Sequence, residues 1–332
     1  MIHNKRRITS ILTFFLMSLL IFDTKTAISS TEAGILLCIH SVIPSLYPFI
    51  FLSGFVTSCF SGCSLPILKP LCNRLGIPNG TESLYFIGLL GGYPTGAKVI
   101  YQAYSENRIS KHTALRLLGF FSNAGPAFIF GVISKLFSRL SITWALWTIH
   151  ILSSLVTAAV LPGKLAENYR NTDTTTLSIP QAISNSIQTM SVICGWVIVF
   201  RIFNAYLQKH LLRFLPSTIA AITYGILELV NGCNAISDIG NEGTRFIIIS
   251  GTLAFGGICV WLQTISVTKD LGTGMYLRGK LLQSVTSVIL ATLYVMLDFS
   301  FMYIVIISAS FMMIVFFPRS VPMNIKKTVA KY

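Results

Sequence analysis

The sequence predicts an all-α polytopic membrane protein with about eight to ten membrane segments, some of them broken or re-entrant, arranged as two structural repeats. Of its 332 residues 53% are hydrophobic and only 11% are charged, whereas soluble domains carry roughly 25% charged residues. The apolar residues lie in runs near the roughly 20 residues that a helix needs to cross a bilayer. Several runs are interrupted by glycine, proline and polar residues, which predicts irregular backbone at membrane depth.

Charge and cysteine usage exclude several classes of protein. The net charge is +14, from 25 Lys and Arg against 11 Asp and Glu. Cytoplasmic loops of membrane proteins are enriched in Lys and Arg, which accounts for a positive net charge. The sequence has no stripe of basic residues interleaved with aromatic ones, so the expected partner is the lipid bilayer and not nucleic acid. The 7 cysteines are scattered, and their spacing with histidine completes no metal site. We therefore expect no metal and no cofactor.

The sequence also contains none of the short motifs of common enzyme classes. It has no P-loop, no nucleophile elbow, no HExxH zinc motif and no pair of carboxylates placed for acid–base chemistry. His40, His112, His150 and His210 form no cluster, which indicates structural roles. We therefore predict that the protein is not an enzyme.

The first half contains two interrupted segments. Residues 8–22 follow three basic residues and have no small-residue cleavage site after them, which favours a retained N-terminal helix over a signal peptide. Residues 33–60 are long enough to span, with a kink at Pro44 and Pro48. Residues 84–105 are broken by Gly91, Gly92, Pro94 and Gly96, and residues 113–137 by the sequence Ser-Asn-Ala-Gly-Pro at 122–126. Residues 142–161 are a plainer span.

The second half has the same order of segments after a polar linker. Residues 182–207 are a span, residues 217–239 are broken around Glu228, and residues 246–267 are broken at 255–257. Residues 279–297 and 299–317 are two further spans. Paired interrupted segments in two halves are a sequence indicator of a transporter binding site, although apolar helices also resemble each other by chance. The predicted divisions are 1–27 (N-terminal helix), 28–162 (first repeat), 163–181 (linker), 182–298 (second repeat) and 299–332 (last helix and basic tail).

The distribution of Lys and Arg predicts a topology but leaves one choice open. It places both termini, the 62–83 loop and the 106–112 turn on the cytoplasmic side of the bacterial inner membrane. In that case 84–105 and 113–137 both re-enter, or both cross. With two re-entrant segments or with two crossings, the two halves would have the same orientation, although inverted repeats are common in transporters with hairpins.

The candidate site is built from the interrupted segments. Glu228 is a carboxylate in an apolar segment, which is costly unless it faces protein or water. With Asn231 on the same helical face it can bind a cation or a polar solute. The alternative is an ion pair with Lys98 or Arg201.

The breaks of the first half add backbone groups to this site. Asn123 lies beside unwound backbone and offers a donor and an acceptor, although a plain helix kink is equally compatible. Half-helix N-termini that point inward favour an anionic group, with Lys98 as a counter-charge. The predicted solute- or ion-binding residues are Tyr93, Pro94, Thr95, Gly96, Lys98, Asn123, Gly125, Pro126, Glu228, Asn231, Gly232 and Gln263.

These motifs resemble a known family. The stretches Gly92-Tyr-Pro-Thr-Gly-Ala-Lys98 and Ser122-Asn-Ala-Gly-Pro126, with 225–232 and 255–263 in the second half, are similar to the bacterial sporulation integral membrane proteins called YlbJ. That family belongs to the nucleoside-recognition Gate domain group, related to the membrane core of concentrative nucleoside transporters.

The resemblance implies a membrane protein required for spore formation, with a nucleoside-like solute implied only by the domain's name and its transporter relatives. We therefore expect a transporter-like protein that binds or moves a small polar solute at a midplane site. The alternative is a non-transporting scaffold or sensor of the sporulation machinery. The sequence leaves open whether the chain forms a homo-oligomer.

Overall fold

The computed structural model describes residues 14, 17–18, 20–60, 65–66, 68–162, 178–300, 303 and 308, without the side chains of residues 56–60. All regular secondary structure in this part of the chain is helical, so the predicted all-α class is confirmed. Most of the predicted N-terminal helix and linker, and nearly all of the last helix and tail, lie outside the described residues.

The first half begins with a long interrupted helix. Asp23 caps it, because its Oδ1 accepts from the Thr26 amide at 3.4 Å, so the helix starts nine residues before the predicted span at 33. A π-helical turn precedes Pro44, where a kink was predicted. The elements are Thr24–Leu37 (α1), the π turn Cys38–Val42, Ile43–Phe60 (α2), Lys69–Arg74 (α3), Glu82–Gly91 (α4), Thr95–Ser105 (α5), Lys111–Phe121 (α6), Pro126–Gly131 (α7), a 3₁₀ turn Ile133–Leu136 and Leu140–Val160 (α8).

The second half repeats this order. The membrane segment from Glu242 to Thr268 is broken at Gly256, whose φ of +83° favours glycine and ends the first of its two helices. The elements are Ile179–His210 (α9), a 3₁₀ turn Leu212–Phe214, Ser217–Leu227 (α10), Leu229–Ser237 (α11), Glu242–Phe255 (α12), Gly257–Thr268 (α13) and Gly274–Met296 (α14).

Two pairs of short helices fold back as hairpins. Hairpin 1 (α4 and α5) turns at Gly92–Pro94, and a Cβ added to Gly88 would lie 3.5 Å from the Gly96 Cα. Hairpin 2 (α10 and α11) turns at Glu228, and a Cβ added to Gly232 would overlap the backbone of Gly225. Residues seven or eight apart in the chain are therefore neighbours, which requires the backbone to reverse.

The long helices pack antiparallel across the two halves. Asp23, just before α1, pairs with Lys209 at the end of α9 at 2.6 Å, and a Cβ added to Gly34 would lie 3.2 Å from the Ile198 Cα, earlier in α9. Phe137, just before α8, and Tyr294, at the end of α14, both pack against Phe246. The first helices of the two halves, α1 and α9, therefore run in opposite directions, and so do their last helices, α8 and α14.

The two hairpins enter from opposite faces of the bundle. We call the face that holds the base of hairpin 1 the first face, and the opposite one the second face. At the first face, the Tyr101 hydroxyl of hairpin 1 donates to Asp270, which follows α13, at 3.5 Å. At the second face, Arg245 near the start of α12 donates to the carbonyls of Ser237 and Ile239, at the base of hairpin 2. Because α12 and α13 cross from the second face to the first, the hairpin bases lie at opposite ends.

The two halves are therefore inverted, which decides between the parallel and inverted orientations that the sequence left open. Segment 84–105 re-enters, but segment 113–137 crosses: Leu115 lies near Gly272 at the first face, and Phe137 lies at the second. Each half then makes three crossings and one hairpin, and an odd number of crossings inverts the half that follows. Loop charge alone could not separate a hairpin from a crossing.

The membrane assignment follows from the lengths of the helices. In the part of the chain that the structure describes, five helical stretches are long and apolar enough to span a bilayer, namely Thr24–Phe55, Leu140–Val160, Ile179–His210, Glu242–Thr268 and Gly274–Met296. The broken helix formed by α6 and α7 and the two hairpins bring the described membrane segments into the predicted range. The protein is a multi-pass membrane protein.

The contact between α6 and α14 provides a test of this packing. A Cβ on Gly279 would overlap the carbonyl of Gly119, whereas a Cβ on Gly195 of α9 would meet no atom within 4 Å. We expect Gly279→Ala to lower the free energy of unfolding by about 1–3 kcal/mol through overpacking. The control Gly195→Ala should leave it unchanged or raise it by up to about 1 kcal/mol. Thermal unfolding in detergent measures both, and equal melting temperatures for the two variants would contradict the packing.

Candidate functional site

The interrupted segments meet around a cavity of about 50 Å³ in the interior, here called the central cavity. Tyr93 from the tip of hairpin 1, Ala124 from the break between α6 and α7, and Glu228 from the tip of hairpin 2 line it. Gln263 of α13, Ser41 of the π turn and Ser45 of α2 complete its polar lining. Residues from both halves of the chain thus share one small space.

The break between α6 and α7 is held by side chains of α8. The Asn123 Nδ2 donates to the Phe120 carbonyl at 2.8 Å and to the Ser154 hydroxyl at 3.2 Å. The Ala124 amide donates to His150 Nε2 at 3.1 Å. These groups would otherwise be unpaired in the membrane interior, where each costs several kcal/mol. Asn123 is therefore occupied in supporting its own break.

The break between α12 and α13 is held by hairpin 1. The Tyr93 hydroxyl lies 3.3 Å from the Leu253 carbonyl and 3.4 Å from the Ala254 carbonyl, at the end of α12. The same oxygen accepts from Lys280 Nζ at 3.2 Å, and the ammonium lies 5.0 Å from the centre of the Tyr93 ring. Tyr93 therefore joins hairpin 1 of the first half to the broken helix of the second.

Lys280 and Gln283 link these two breaks. Lys280 Nζ also donates to Gln283 Oε1 at 2.7 Å, and Gln283 Nε2 donates to Asn123 Oδ1 at 2.9 Å. All three side chains are fully buried. The result is a continuous polar network from Tyr93 to Ser154 in which hydrogen bonds to neutral groups stabilise the ammonium, and no carboxylate among the described residues pairs with it.

Glu228 is placed differently from the sequence prediction. It is not helical but precedes α11, and its two oxygens accept from the amides of Val230 at 2.9 Å and Asn231 at 2.7 Å. The prediction that Glu228 and Asn231 share a helical face is therefore wrong, because the chain unwinds at Glu228 (φ −151°). The carboxylate is the anion at the positive end of α11.

The predicted alternative for Glu228, an ion pair with Lys98 or Arg201, is not present among the described residues. Arg201 Nη1 donates instead to Asn231 Oδ1 at 2.7 Å. Lys98 Nζ donates to the Thr189 hydroxyl at 2.7 Å. Both cations are held by neutral groups.

A second cavity lies on the other side of the hairpin 2 tip. It measures about 670 Å³ and is bounded by α1, α9 and hairpin 2 at the second face; it is called the large cavity below. Asn231 and Arg201 line it, while Glu228, Leu229 and Val230 line the central cavity. The first turn of α11 is therefore the wall between the two spaces.

The remaining predicted residues lie apart from these cavities or shape the backbone. Thr95 and Lys98 line a separate cavity of about 60 Å³ between hairpin 1, α2 and α9. Gly96 packs against the Phe121 carbonyl, Gly125 packs against Gly92, and Gly232 packs against Gly225. Pro94 is the residue before the first turn of α5, and Pro126 is the first residue of α7. The structure thus brings Tyr93, Asn123, Glu228 and Gln263 to one region and leaves Lys98 outside it.

Sequence reasoning missed Lys280 and Gln283. The helix that carries them was predicted to be an ordinary apolar span starting at 279. A signal was present, because Lys280, Gln283, Ser284 and Ser287 recur every three or four residues and form one polar stripe on that helix. Among the described residues, no group of three or more His, Cys, Asp or Glu side chains is placed to hold a metal ion.

Comparison with known proteins supports a family. No family model matches the chain, and no solved structure matches it. The sporulation integral membrane protein YlbJ of Bacillus subtilis (strain 168) is 26% identical over an alignment 344 positions long, which covers 86% of this chain and 83% of the relative. The alignment is nearly full length, and the resemblance that the motifs of the two halves predicted is confirmed. The chain is similar over most of its length to the sporulation integral membrane protein YlbJ.

Proposed function

We propose that the protein is a transporter-like membrane protein that acts in spore formation and moves a small polar solute, with a nucleoside-like molecule as one candidate. The name of the Bacillus relative supports the role in sporulation. The observation that carries the transport proposal is the meeting of two oppositely inserted hairpins and two broken helices at one buried polar region. The proposal includes no catalytic step.

The sizes of the two cavities suggest how movement would occur. Ligand pockets measure roughly 300–1,000 Å³, so the large cavity of about 670 Å³ has the size for a solute and the central cavity of about 50 Å³ does not. The first turn of α11 separates them. In this proposal the structure corresponds to a state that is open to the second face and closed at the centre. Displacement of the hairpin 2 tip joins the two spaces.

Hairpin 1 is the fixed partner in this mechanism. Its tip is bonded to α12 through Tyr93 and to α14 through Lys280. Among the described residues the tip of hairpin 2 has no such hydrogen bond to the first half: Glu228 bonds to Val230 and Asn231 of the same hairpin, and Asn231 accepts from Arg201 of α9. The two halves have inverted architecture but unequal attachment, so hairpin 2 is the element we expect to move.

One observation favours the rival role of scaffold or sensor. The polar atoms of Asn123 and Glu228 are all bonded to the protein itself, and a scaffold needs such bonds as much as a transporter does. The two roles differ in whether loss of the Glu228 charge, with the fold retained, abolishes function.

Glu228→Gln tests the transport role. Glutamine keeps an acceptor for one α11 amide but removes the charge at the tip, so we expect the variant to insert normally and to lose most spore formation when it replaces the native copy in its host. The matched control is Glu106→Gln, since Glu106 lies in the turn after α5, away from both cavities, and pairs with its chain neighbours Arg108 and Gln102. Asn123→Ala is expected to act in the same direction. Wild-type sporulation of inserted Glu228→Gln and Asn123→Ala would leave the scaffold role as the better account.

Tyr93→Phe tests the fixed attachment of hairpin 1. The change removes the hydroxyl that serves Leu253, Ala254 and Lys280, and a buried group left unpaired costs about 1–3 kcal/mol. Tyr101→Phe, which removes an exposed hydroxyl at the first face, should change stability by less than about 0.5 kcal/mol. Thermal unfolding of the purified proteins gives both values. A Tyr93→Phe variant as stable as Tyr101→Phe would show that this link does not hold the hairpin.

A further inference from the structure

The large cavity has polar groups that its own protein does not satisfy. Asn204 of α9 lines it with 2% of its surface exposed, and neither its Oδ1 nor its Nδ2 has a hydrogen-bond partner among the described residues. Asn231 Nδ2 is also buried and unpaired. Buried side-chain amides are nearly always hydrogen-bonded. Three unpaired atoms on two side-chain amides that line one cavity therefore indicate that something polar binds there.

The charges of this cavity favour an anion. Arg201 and Arg213 line it against one carboxylate, Asp238. Arg213 and Asp238 are exposed at the rim, while Arg201 is half-buried beside Asn204 and Asn231. Arg201 forms no ion pair with a described residue, and within the described chain its guanidinium donates to Asn231 alone. A guanidinium with free donors binds carboxylate or phosphate in a planar, two-bond geometry.

We propose that the large cavity binds a small water-soluble anion that bears a carboxylate or phosphate group, with Arg201 on the anionic group and Asn204 and Asn231 on its polar neighbours. This inference rests on the proposed function and specifies the class of its solute. The rim cation Arg213 attracts the anion, and the deeper Arg201 holds it.

The position of Arg201 also connects binding to the wall between the cavities. Its bond to Asn231 Oδ1 is one of the contacts that hold the first turn of α11, and the Asn231 amide is capped by Glu228. An anion on Arg201 competes with Asn231 for the guanidinium. Occupation of the large cavity therefore loosens the turn that closes the central cavity, as an entry site requires.

The test is binding by the full chain in detergent, with succinate and inorganic phosphate as anionic probes and uridine as an uncharged probe. We expect at least one anion to raise the melting temperature in a concentration-dependent way, with an affinity that falls as salt rises. Arg201→Gln should weaken that binding roughly 10- to 100-fold, the loss expected for a charged hydrogen bond. Arg278→Gln, an exposed charge on α14, should leave the affinity unchanged.

Asn204→Leu separates a binding role from a structural one. Because the amide is unpaired in the protein alone, an apolar side chain of similar size should raise the melting temperature without ligand. The same variant should weaken anion binding. A variant that is less stable without ligand and binds the anion normally would overturn the role of Asn204.

The probes also separate this inference from the proposed function. Stabilisation by uridine alone would keep solute binding and overturn the anionic class. Stabilisation by phosphatidylglycerol in mixed micelles, but by neither succinate nor phosphate, would assign the cavity to a lipid headgroup and overturn the solute. No response to any probe would overturn both proposals.

Discussion

The structure depends on one constraint, which is that every backbone polar group freed by a break in a membrane helix must be satisfied by the protein. The helix end at Phe120 is served by Asn123 and Ser154, and the end at Leu253 by Tyr93. The start of α11 is served by Glu228. Asn123, Ser154 and Glu228 serve breaks in their own half, whereas Tyr93 of the first half serves a break in the second, so that break is satisfied only when the two halves have come together.

This constraint also explains why the buried network contains a lysine. The Tyr93 hydroxyl donates toward the carbonyls at the end of α12, which leaves its lone pairs for another donor. Lys280 Nζ donates to the Tyr93 hydroxyl and also to Gln283 Oε1. Gln283 Nε2 in turn donates to Asn123 Oδ1. A buried ammonium without a carboxylate partner is costly in general. Here two acceptor oxygens and the ring of Tyr93 offset that cost.

The inverted architecture does not make the two hairpins equivalent. Hairpin 1 is joined to the opposite half by hydrogen bonds, and the space behind it measures only about 60 Å³. Hairpin 2 has a cavity of about 670 Å³ behind it, with unpaired amides and two arginines. In the proposed mechanism the second half supplies the moving wall and most of the lining of the large cavity, and the first half supplies the fixed support.

The sequence by itself determined the fold class, the resemblance to a family and the places where the membrane helices break, because glycine, proline and polar residues within apolar runs have local effects. Only the tertiary structure decided that the halves are inverted, that Glu228 caps α11 rather than sharing a helical face with Asn231, and that Lys280 lies in the central network. The inversion depends on the direction of each crossing, and the bonds of Lys280 to Tyr93 and of Gln283 to Asn123 join residues 187 and 160 positions apart. The Glu228 cap is local, with partners two and three residues away, but it forms because the turn of hairpin 2 unwinds the chain at Glu228. Loop charge does not give the direction of a crossing, and local pattern does not give contacts between distant residues.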